Sequence, residues 1–287
     1  MSLTDAQREA RRAGIGGSDA AAVVGRHPTK TPLALYIDKV YGDDFEGNAR
    51  TEAGNRLEPV IREWAAEKLG ETFTLPDTMY HPKTRRMLVN LDGLLSSGWV
   101  LECKNVDGLV WRASQDELVD GVLRTHWWQV QHAVEVVDAP GAVVAYLVAG
   151  NDLILERVER NRVVGDRLRR HIEAWWERHI IAQVPPENGS ADDRMSLLEK
   201  LHAKESAGML KTDAESIVSL AREYDACRKA VAVAEKNRDI AKANLCSVIG
   251  SAAGLDLGPV GKVTWKAGKN GVRTLNVRMA DTEQHDG

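Results

Sequence analysis

The sequence predicts a mixed α/β protein, of the α+β kind, with a long helix and a small β-hairpin near its C-terminal end. Residues 1–182 combine short strand-like and helix-like segments. The stretch 185–190 contains two prolines and a glycine and is typical of a linker. We therefore expect a first domain at 1–184, a linker at 185–194 and a mainly helical C-terminal region at 195–287.

Length and composition indicate a globular protein. A chain of 287 residues with 43% hydrophobic content can bury a sizeable core. No apolar run approaches the roughly 20 residues that cross a bilayer. Met1–Arg12 is polar and charged, unlike a secretory signal peptide. We therefore expect a soluble cytoplasmic protein with no membrane partner.

Cysteine content and charge exclude several classes of protein. The three cysteines, Cys103, Cys227 and Cys246, have no paired spacing and no matching histidine cluster, so neither a disulfide framework nor a zinc site is indicated. A cluster held by four cysteines is also excluded within one chain. The net charge of −4 argues against a protein that coats nucleic acid through bulk charge.

The segment Leu91–Lys104 contains the densest group of reactive side chains. Its middle, Ser96-Ser97-Gly98, fits a short hairpin loop with glycine at a left-handed position. Side chains alternate along the second strand, so Glu102 and Lys104 share one face. A turn centred on this loop places Asp92 opposite Glu102 on that face, with Cβ atoms about 5 Å apart.

Two carboxylates this close repel each other unless a cation lies between them. Mg²⁺ suits such a gap because it prefers carboxylate and water oxygens, and it can activate water for attack on a phosphodiester. Lys104 would then hold or deprotonate the attacking water, or neutralise charge on the phosphoryl group. The alternative is a simple turn at Asp92-Gly93 followed by a solvated pair of Glu102 and Lys104.

A glycine-rich segment, Gly14–Gly25, predicts an anion site. Ser18 is placed to cap an apolar helix that Gly25 closes. The N–H groups at a helix N-terminus, together with Arg11 and Arg12 just upstream, suit a phosphate. The alternative is an ordinary capped helix.

Two further segments carry candidate polar residues beside apolar ones. Glu58 lies at the edge of a helical line that includes Leu57 and Ile61, where it could reach a site or remain a surface charge. Pro59 indicates that this helix either kinks or begins nearby. Gln129 lies in the run Trp127–His132, which by itself indicates helix packing more than catalysis.

The C-terminal region predicts a long helix followed by a hairpin. Apolar residues recur in steps of three and four from Ile217 to Val248, a coiled-coil period. Thr212 and Glu215 fit a capping box, and Gly250 fits the end of the helix. Such a helix of about 37 residues would be about 55 Å long. Strands at 262–265 and 274–277, separated by Gly268 and Gly271, complete the hairpin.

In order and spacing, five motifs of the chain resemble the YqaJ-like viral recombinase family, which is the phage lambda exonuclease family of the PD-(D/E)xK nuclease superfamily. The resemblance covers about residues 8–185. Its motifs are Gly-Ile-Gly-Gly-Ser-Asp at 14–19, Gly-x-x-x-Glu-Pro at 54–59, Asp92-Gly93, Glu102-Cys103-Lys104 and Gln129-Val130-Gln131. The family implies a restriction-endonuclease-like core, in which a mixed central sheet is flanked by helices.

The resemblance also implies roles for individual residues. Asp92 and Glu102, with the backbone carbonyl of Cys103, would bind Mg²⁺, for which Mn²⁺ could substitute. Lys104 would be the catalytic lysine. Glu58 would be an additional acidic residue and Gln129 an active-site amide. Arg12 and Ser18 would form a pocket for the 5′-terminal phosphate.

The activity implied by the family is metal-dependent digestion of one strand of linear double-stranded DNA from a 5′ end. The resulting 3′ single strand would be used by an annealing protein in phage-type recombination, in a bacterial cytoplasm, and the enzyme would be a homo-oligomer. One alternative keeps the fold but cuts internally, as a structure-specific or restriction-type endonuclease. Another is a non-catalytic DNA-binding recombination scaffold. For the long helix, packing against its own chain is the alternative to self-association or to docking of a recombination partner.

Overall fold

The computed structural model describes residues 9, 11–42, 47–205 and 207–280. Contacts divide the chain into two compact units, one ending at Glu205 and the other comprising the chain beyond it. Within the described ranges, no helix is both long enough and apolar enough to cross a membrane.

The α-helices are α1 (Ala20–Val23), α2 (Pro32–Tyr41), α3 (Ala49–Leu69), α4 (Gly108–Ala113), α5 (Arg124–Val137), α6 (Arg162–Trp175), α7 (Ala191–Leu201) and α8 (Glu215–Ile249). Short 3₁₀ helices lie at Gly17–Asp19, Gln115–Glu117 and Gly258–Val260, and a π-helical turn at Trp176–Ile181. The strands are β1 (Phe73–Thr74), β2 (Met79–His81), β3 (Thr84–Val89), β4 (Gly93–Leu95), β5 (Val100–Val106), β6 (Leu118–Val119), β7 (Val122–Leu123), β8 (Gly141–Val148), β9 (Asp152–Glu159), β10 (Gly254–Asp256), β11 (Gly261–Ala267) and β12 (Arg273–Met279).

The first unit is built on a mixed five-stranded sheet of order β1-β4-β5-β8-β9. Only the β5–β8 pair is parallel, and the connection between these strands contains α4, β6, β7 and α5. All eight residues of β8 are buried, as expected for an apolar strand covered on both faces. The predicted class, a mixed sheet flanked by helices, is confirmed.

The two faces of β5 belong to different cores, because its side chains alternate. Val100 and Val106 pack in the core that includes residues of α5 and α6. Leu101 and Cys103 pack in the core that includes Ile61 and Ala65 of α3. Glu102 and Lys104 therefore lie on the α5 side of the sheet.

Helix α3 runs without interruption through Pro59 and begins well before it. The side chain of Asn48 caps its N-terminus by accepting hydrogen bonds from the backbone of Arg50 and Thr51, both at 3.0 Å. Ile61 and Ala65 pack against the sheet, and the stabilisation from these tertiary contacts outweighs the cost of the hydrogen bond that Pro59 cannot donate. A helix that begins near Pro59, one of the two predicted outcomes, is therefore wrong.

The prediction that Ser18 caps a helix is also wrong. Ser18 lies inside the 3₁₀ helix, whose N-cap position is Gly16, and its hydroxyl accepts a hydrogen bond from Arg11 Nη2 at 2.9 Å. The helix therefore starts before Ser18, and the Ser18 side chain bonds Arg11 instead of capping the helix.

The stretch around the predicted linker packs on the first unit. The Asn188 carbonyl accepts a hydrogen bond from Leu33 N at 3.2 Å, and Gly189 lies so close to Leu33 that a Cβ would be 2.4 Å from it. Asp193, at the start of α7, accepts a hydrogen bond from Thr31 Oγ1 at 2.8 Å. The division between the two units therefore falls after α7, later than the predicted boundary at 185–194.

The second unit consists of α8 and a three-stranded antiparallel sheet of order β10-β11-β12. The predicted helix and hairpin are present, and β10 is an additional strand. The predicted capping box is wrong: the N-cap residue is Ala214, with no side-chain hydrogen bond, while Thr212 Oγ1 bonds Ala214 N at 3.2 Å. Arg273 joins sheet to helix by donating to the Gly250 carbonyl at 2.7 Å.

Candidate active site on the β4–β5 hairpin

The hairpin between β4 and β5 has the register that the sequence predicts. Gly93 pairs with Leu101 and Leu94 with Val100, and Gly98 in the loop has a φ of +81°, which glycine adopts without strain. Extending this register by one residue places Asp92 opposite Glu102. Asp92 itself lies just before β4, at the point where the pairing with β5 stops.

The Asp92 carboxylate takes the place of a missing strand partner. Its Oδ2 accepts a hydrogen bond from the backbone N–H of Cys103 at 2.8 Å. The N–H and C=O of one strand residue point toward the same neighbouring strand, so the Cys103 carbonyl also faces the Asp92 side and not β8. A carboxylate and a backbone oxygen thus meet at the open edge of β5.

Glu102 is buried and holds two donors on one oxygen. Its Oε1 accepts hydrogen bonds from Lys104 Nζ at 2.6 Å and from Gln129 Nε2 of α5 at 2.5 Å. Burial raises the pKa of Glu102 to about 7, and the charges of Asp92 and Glu58 act in the same direction while Lys104 opposes them. Burial alone would lower the pKa of Lys104, but the charges of Glu102 and Asp92 raise it above its ordinary value.

Glu58 approaches this group from α3, on the other face of the sheet. Its Oε1 pairs with Arg62 Nη2 at 2.9 Å, and the Arg62 side chain is itself buried. Burial and the charge of Asp92 raise the pKa of Glu58. Three carboxylates thus interact electrostatically around the end of β4, which is an unfavourable arrangement in the absence of a cation.

The donor set at this edge is compatible with Mg²⁺. No cage of three or more His, Cys, Asp or Glu side chains occurs in the described ranges. Asp92 Oδ1 and Glu102 Oε2 accept no hydrogen bond from the described residues, and the Cys103 carbonyl faces the same edge. Mg²⁺ commonly binds one or two carboxylates and keeps several waters, so this set is compatible with it.

The glycine-rich segment lies beside the carboxylate group. A Cβ at Gly17 would be 3.2 Å from Gln129 Cγ, so the segment packs closely on the residue that binds Glu102. Of the two residues predicted for the phosphate pocket, Ser18 bonds Arg11, whereas the Arg12 guanidinium lies beside Gly42. The structure therefore does not bring Arg12 and Ser18 into direct contact.

Three charged residues near this segment were missed by the sequence analysis. Asp19 is buried and pairs with Lys39 Nζ at 2.7 Å and Lys30 Nζ at 3.2 Å. Burial would raise the pKa of Asp19, but these two lysines hold it far below its usual value. Both lysines lie beyond the predicted segment, so only the tertiary fold shows that they meet Asp19.

Together, the fold and the hairpin define the class of the protein as an α/β protein with a mixed central sheet flanked by helices and an acidic hairpin at its sheet edge. Residues 8–140 match the family model of the YqaJ-like viral recombinase domain. This part of the chain is therefore similar to that family, which confirms over these residues the resemblance found in the sequence.

Individual proteins are also similar to this chain. The uncharacterized protein YqaJ of Bacillus subtilis (strain 168) is 29% identical over 189 residues, which are 63% of this chain and 58% of that protein, so less than two thirds of the relative is spanned. The crystal structure of an alkaline exonuclease (LHK-Exo) from Laribacter hongkongensis covers 70% of this chain and 100% of its own, with a TM-score of 0.53 and 16% identity. The LHK-Exo complex with dAMP covers 70% and 98%, with a TM-score of 0.52 and 17% identity. At these identities the structural likeness is one of fold.

Proposed function

We propose that this protein is a metal-dependent deoxyribonuclease that hydrolyses phosphodiester bonds of linear double-stranded DNA from an end. One observation carries the proposal. Glu102 and Lys104 project from one face of β5, while Asp92 is bound to the backbone of the same strand at its open edge. Carboxylates and a cationic donor in this arrangement suit hydrolysis of a phosphate ester.

The metal would be Mg²⁺, with Mn²⁺ as a substitute, held by Asp92, Glu102 and the Cys103 carbonyl. When bound, such an ion polarises the phosphate and acidifies a water. Gln129 and Lys104 both bond Oε1 of Glu102, which fixes the carboxylate and leaves Oε2 for another ligand. Glu58 would add negative charge beside Asp92.

Lys104 would stabilise negative charge on the phosphoryl group. Its ammonium is in a 2.6 Å ion pair with Glu102, and its side chain is 22% exposed, so it is anchored on one side and accessible on the other. An ammonium aimed at a developing negative charge lowers the barrier without having to reorganise during the reaction. This role requires no loss of the proton.

The exonuclease mode, digestion in the 5′-to-3′ direction and a 3′ single-stranded product for an annealing protein, belong to the same proposal. They are supported by the recombinase family of the domain and by the alkaline exonuclease with the same fold. Ser18 and Arg11, and Arg12 nearby, would bind the 5′-terminal phosphate. A phage or prophage protein acting in a bacterial cytoplasm would fit this activity.

The test is release of nucleotides from linear, 5′-phosphorylated duplex DNA in Mg²⁺. We expect D92N and K104M each to lower the rate by about 10²-fold or more, because each removes a group that acts on the phosphate. Asp192→Asn, at an exposed position of α7, is the matched control and should leave the rate unchanged. Undiminished release by both D92N and K104M would refute the mechanism.

Covalently closed circular duplex separates this proposal from its alternatives. An exonuclease leaves the circle intact, whereas a structure-specific or restriction-type endonuclease cuts it. Calorimetric titration with Mn²⁺ addresses the scaffold alternative, which absence of Mn²⁺ binding together with absence of digestion of either substrate would favour.

A further inference from the structure

His126, in the first turn of α5, lies beside the hairpin site but belongs to none of the motifs discussed above. It is connected to the central sheet through Tyr146 of β8. Tyr146 is paired with Lys104 in the parallel β5–β8 register, so the two side chains leave the sheet on the same face. Tyr146 is fully buried, and the Trp111 ring packs on it with centroids 4.7 Å apart.

A chain of hydrogen bonds fixes the orientation of the His126 ring. The Leu123 backbone N–H donates to Tyr146 Oη at 3.1 Å, and His126 Nδ1 lies 2.9 Å from the same oxygen. Burial raises the pKa of Tyr146, so its hydroxyl keeps its proton. A hydroxyl has one hydrogen and two lone pairs, so Oη can accept from Leu123 and also donate its own hydrogen to His126 Nδ1.

The direction of the bond to Tyr146 sets which nitrogen of His126 carries a proton. Burial, with a contribution from Lys104, lowers the pKa of His126 to about 3, so the ring is neutral at ordinary pH. A neutral imidazole that accepts at Nδ1 carries its proton on Nε2. When Tyr146 donates to Nδ1, His126 is left as a donor through Nε2–H.

The Nε2 atom is open to a ligand. No described residue forms a hydrogen bond with it, and it is not among the fully enclosed unpartnered atoms. The charges of Lys104 and of His27 both act on the ring, so His126 is near both residues. A neutral donor can lie close to the Lys104 ammonium without repelling it.

We propose that His126 binds the DNA substrate by donating its Nε2–H to a non-bridging oxygen of a backbone phosphate at or next to the bond that is cleaved, with Tyr146 as its positioning residue. This inference rests on the proposed nuclease function. The phosphate is the chemical partner because a fixed N–H donor beside a lysine is suited to an anionic oxygen.

Single-turnover digestion of linear duplex DNA tests the proposal. We expect H126A to lower the rate constant by about 10²-fold, the size of effect that follows removal of one donor to a developing oxyanion. H126Q supplies an amide N–H and should recover most of the rate, and Y146F, which lacks only the hydroxyl, should be intermediate. His202→Ala, at an exposed position, is the matched control.

A phosphorothioate at the cleaved bond gives a readout that loss of structure would not change. Sulfur is a poor hydrogen-bond acceptor, so one diastereomer should slow the wild type and have a much smaller relative effect in H126A. A wild-type rate in H126A would overturn the inference. So would equal defects in H126Q and H126A with an unchanged thio effect. If instead the wild type fails to digest linear duplex, the proposed function itself fails.

Discussion

At the scale of single residues, burial separates charges that matter for stability from charges that do not. Asp19 is 8% exposed and forms ion pairs with two lysines, Lys30 and Lys39. Asp225 of α8 forms similar pairs with Arg228 and Lys229, but in solvent. The same side chain in two settings therefore provides a direct comparison.

We predict that D19N lowers the free energy of unfolding at pH 7 by about 3 kcal/mol, because it leaves the nearly buried Lys39 without a carboxylate. D225N, the matched control, should change stability very little. Urea unfolding of the intact protein measures both. Equal effects of the two substitutions would contradict the argument from burial.

The pH dependence of this difference follows from the lowered pKa of Asp19. Above its ordinary value of 3.8, the carboxylate is charged in both the folded and the unfolded chain, and its stabilising contribution is fully present. Below 3.8 the unfolded chain takes up the proton first, so the contribution declines. The gap between wild type and D19N should therefore narrow as the pH falls below 3.8.

Residue patterns predicted the hairpin site because its determinants are local. A glycine that adopts a positive φ specifies the loop and therefore the register. The alternation of side chains along β5 then places Glu102 and Lys104 on one face. Arg11, Lys30 and Lys39 could not be assigned this way, because they reach Ser18 or Asp19 only after several elements have packed. The same limit applies to the link from His126 to Tyr146, which spans 20 positions.

At the scale of elements, two glycines in helices have opposite surroundings. A Cβ at Gly165 of α6 would lie 2.3 Å from Glu135 Oε2, whereas a Cβ at Gly54 of α3 would meet nothing within 4 Å. The close approach at Gly165 lets α6 pack near the Glu135 carboxylate, which pairs with Arg160 at 2.8 Å. Gly54 has no such packing role.

We predict that G165A destabilises the protein by about 1–3 kcal/mol, because the methyl group would displace Glu135 or separate the helices. G54A should instead stabilise it by about 0.5–1 kcal/mol, the usual preference of a helix interior for alanine over glycine. Chemical denaturation of both variants provides the measurement. Stabilisation by G165A would mean that Glu135 moves aside at no cost.

Element boundaries were harder to predict than element types. Pro59 suggested that α3 kinks or begins nearby, but the helix begins at Ala49, after an asparagine cap, and Ile61 and Ala65 beyond the proline are buried. Ser18 and Thr212 fitted capping patterns that the backbone does not use. Such patterns are short, and tertiary packing outweighs them.

At the scale of the whole molecule, α8 presents apolar residues that the second unit leaves uncovered. On the seam that the heptad pattern defines, the large exposed side chains are Ile217, Leu220, Tyr224, Val231 and Val248. A helix of 35 residues with one buried position gains little from packing within its own unit. We expect this seam to pair with other copies of the chain, as a homo-oligomer would require.

The double substitution L220E/V231E should therefore reduce the mass of the assembled protein toward the 31.6 kDa of a single chain. V233E is the matched control, because Val233 is equally exposed but lies off the seam. Light scattering distinguishes the species. An unchanged mass for the double variant would contradict the prediction that copies of the chain assemble through this seam.

The shortness of β4 has a consequence for how such a site can be altered. The Asp92 carboxylate contacts Cys103 at a point where a longer β4 would supply backbone partners. The proposed metal site therefore lies in a notch at the edge of the sheet. Two more paired residues would fill that notch with ordinary ladder bonds, and a slip of one residue would turn Asp92 toward α3. Strand length, as much as the identity of the acids, thus decides whether this scaffold can form the proposed site.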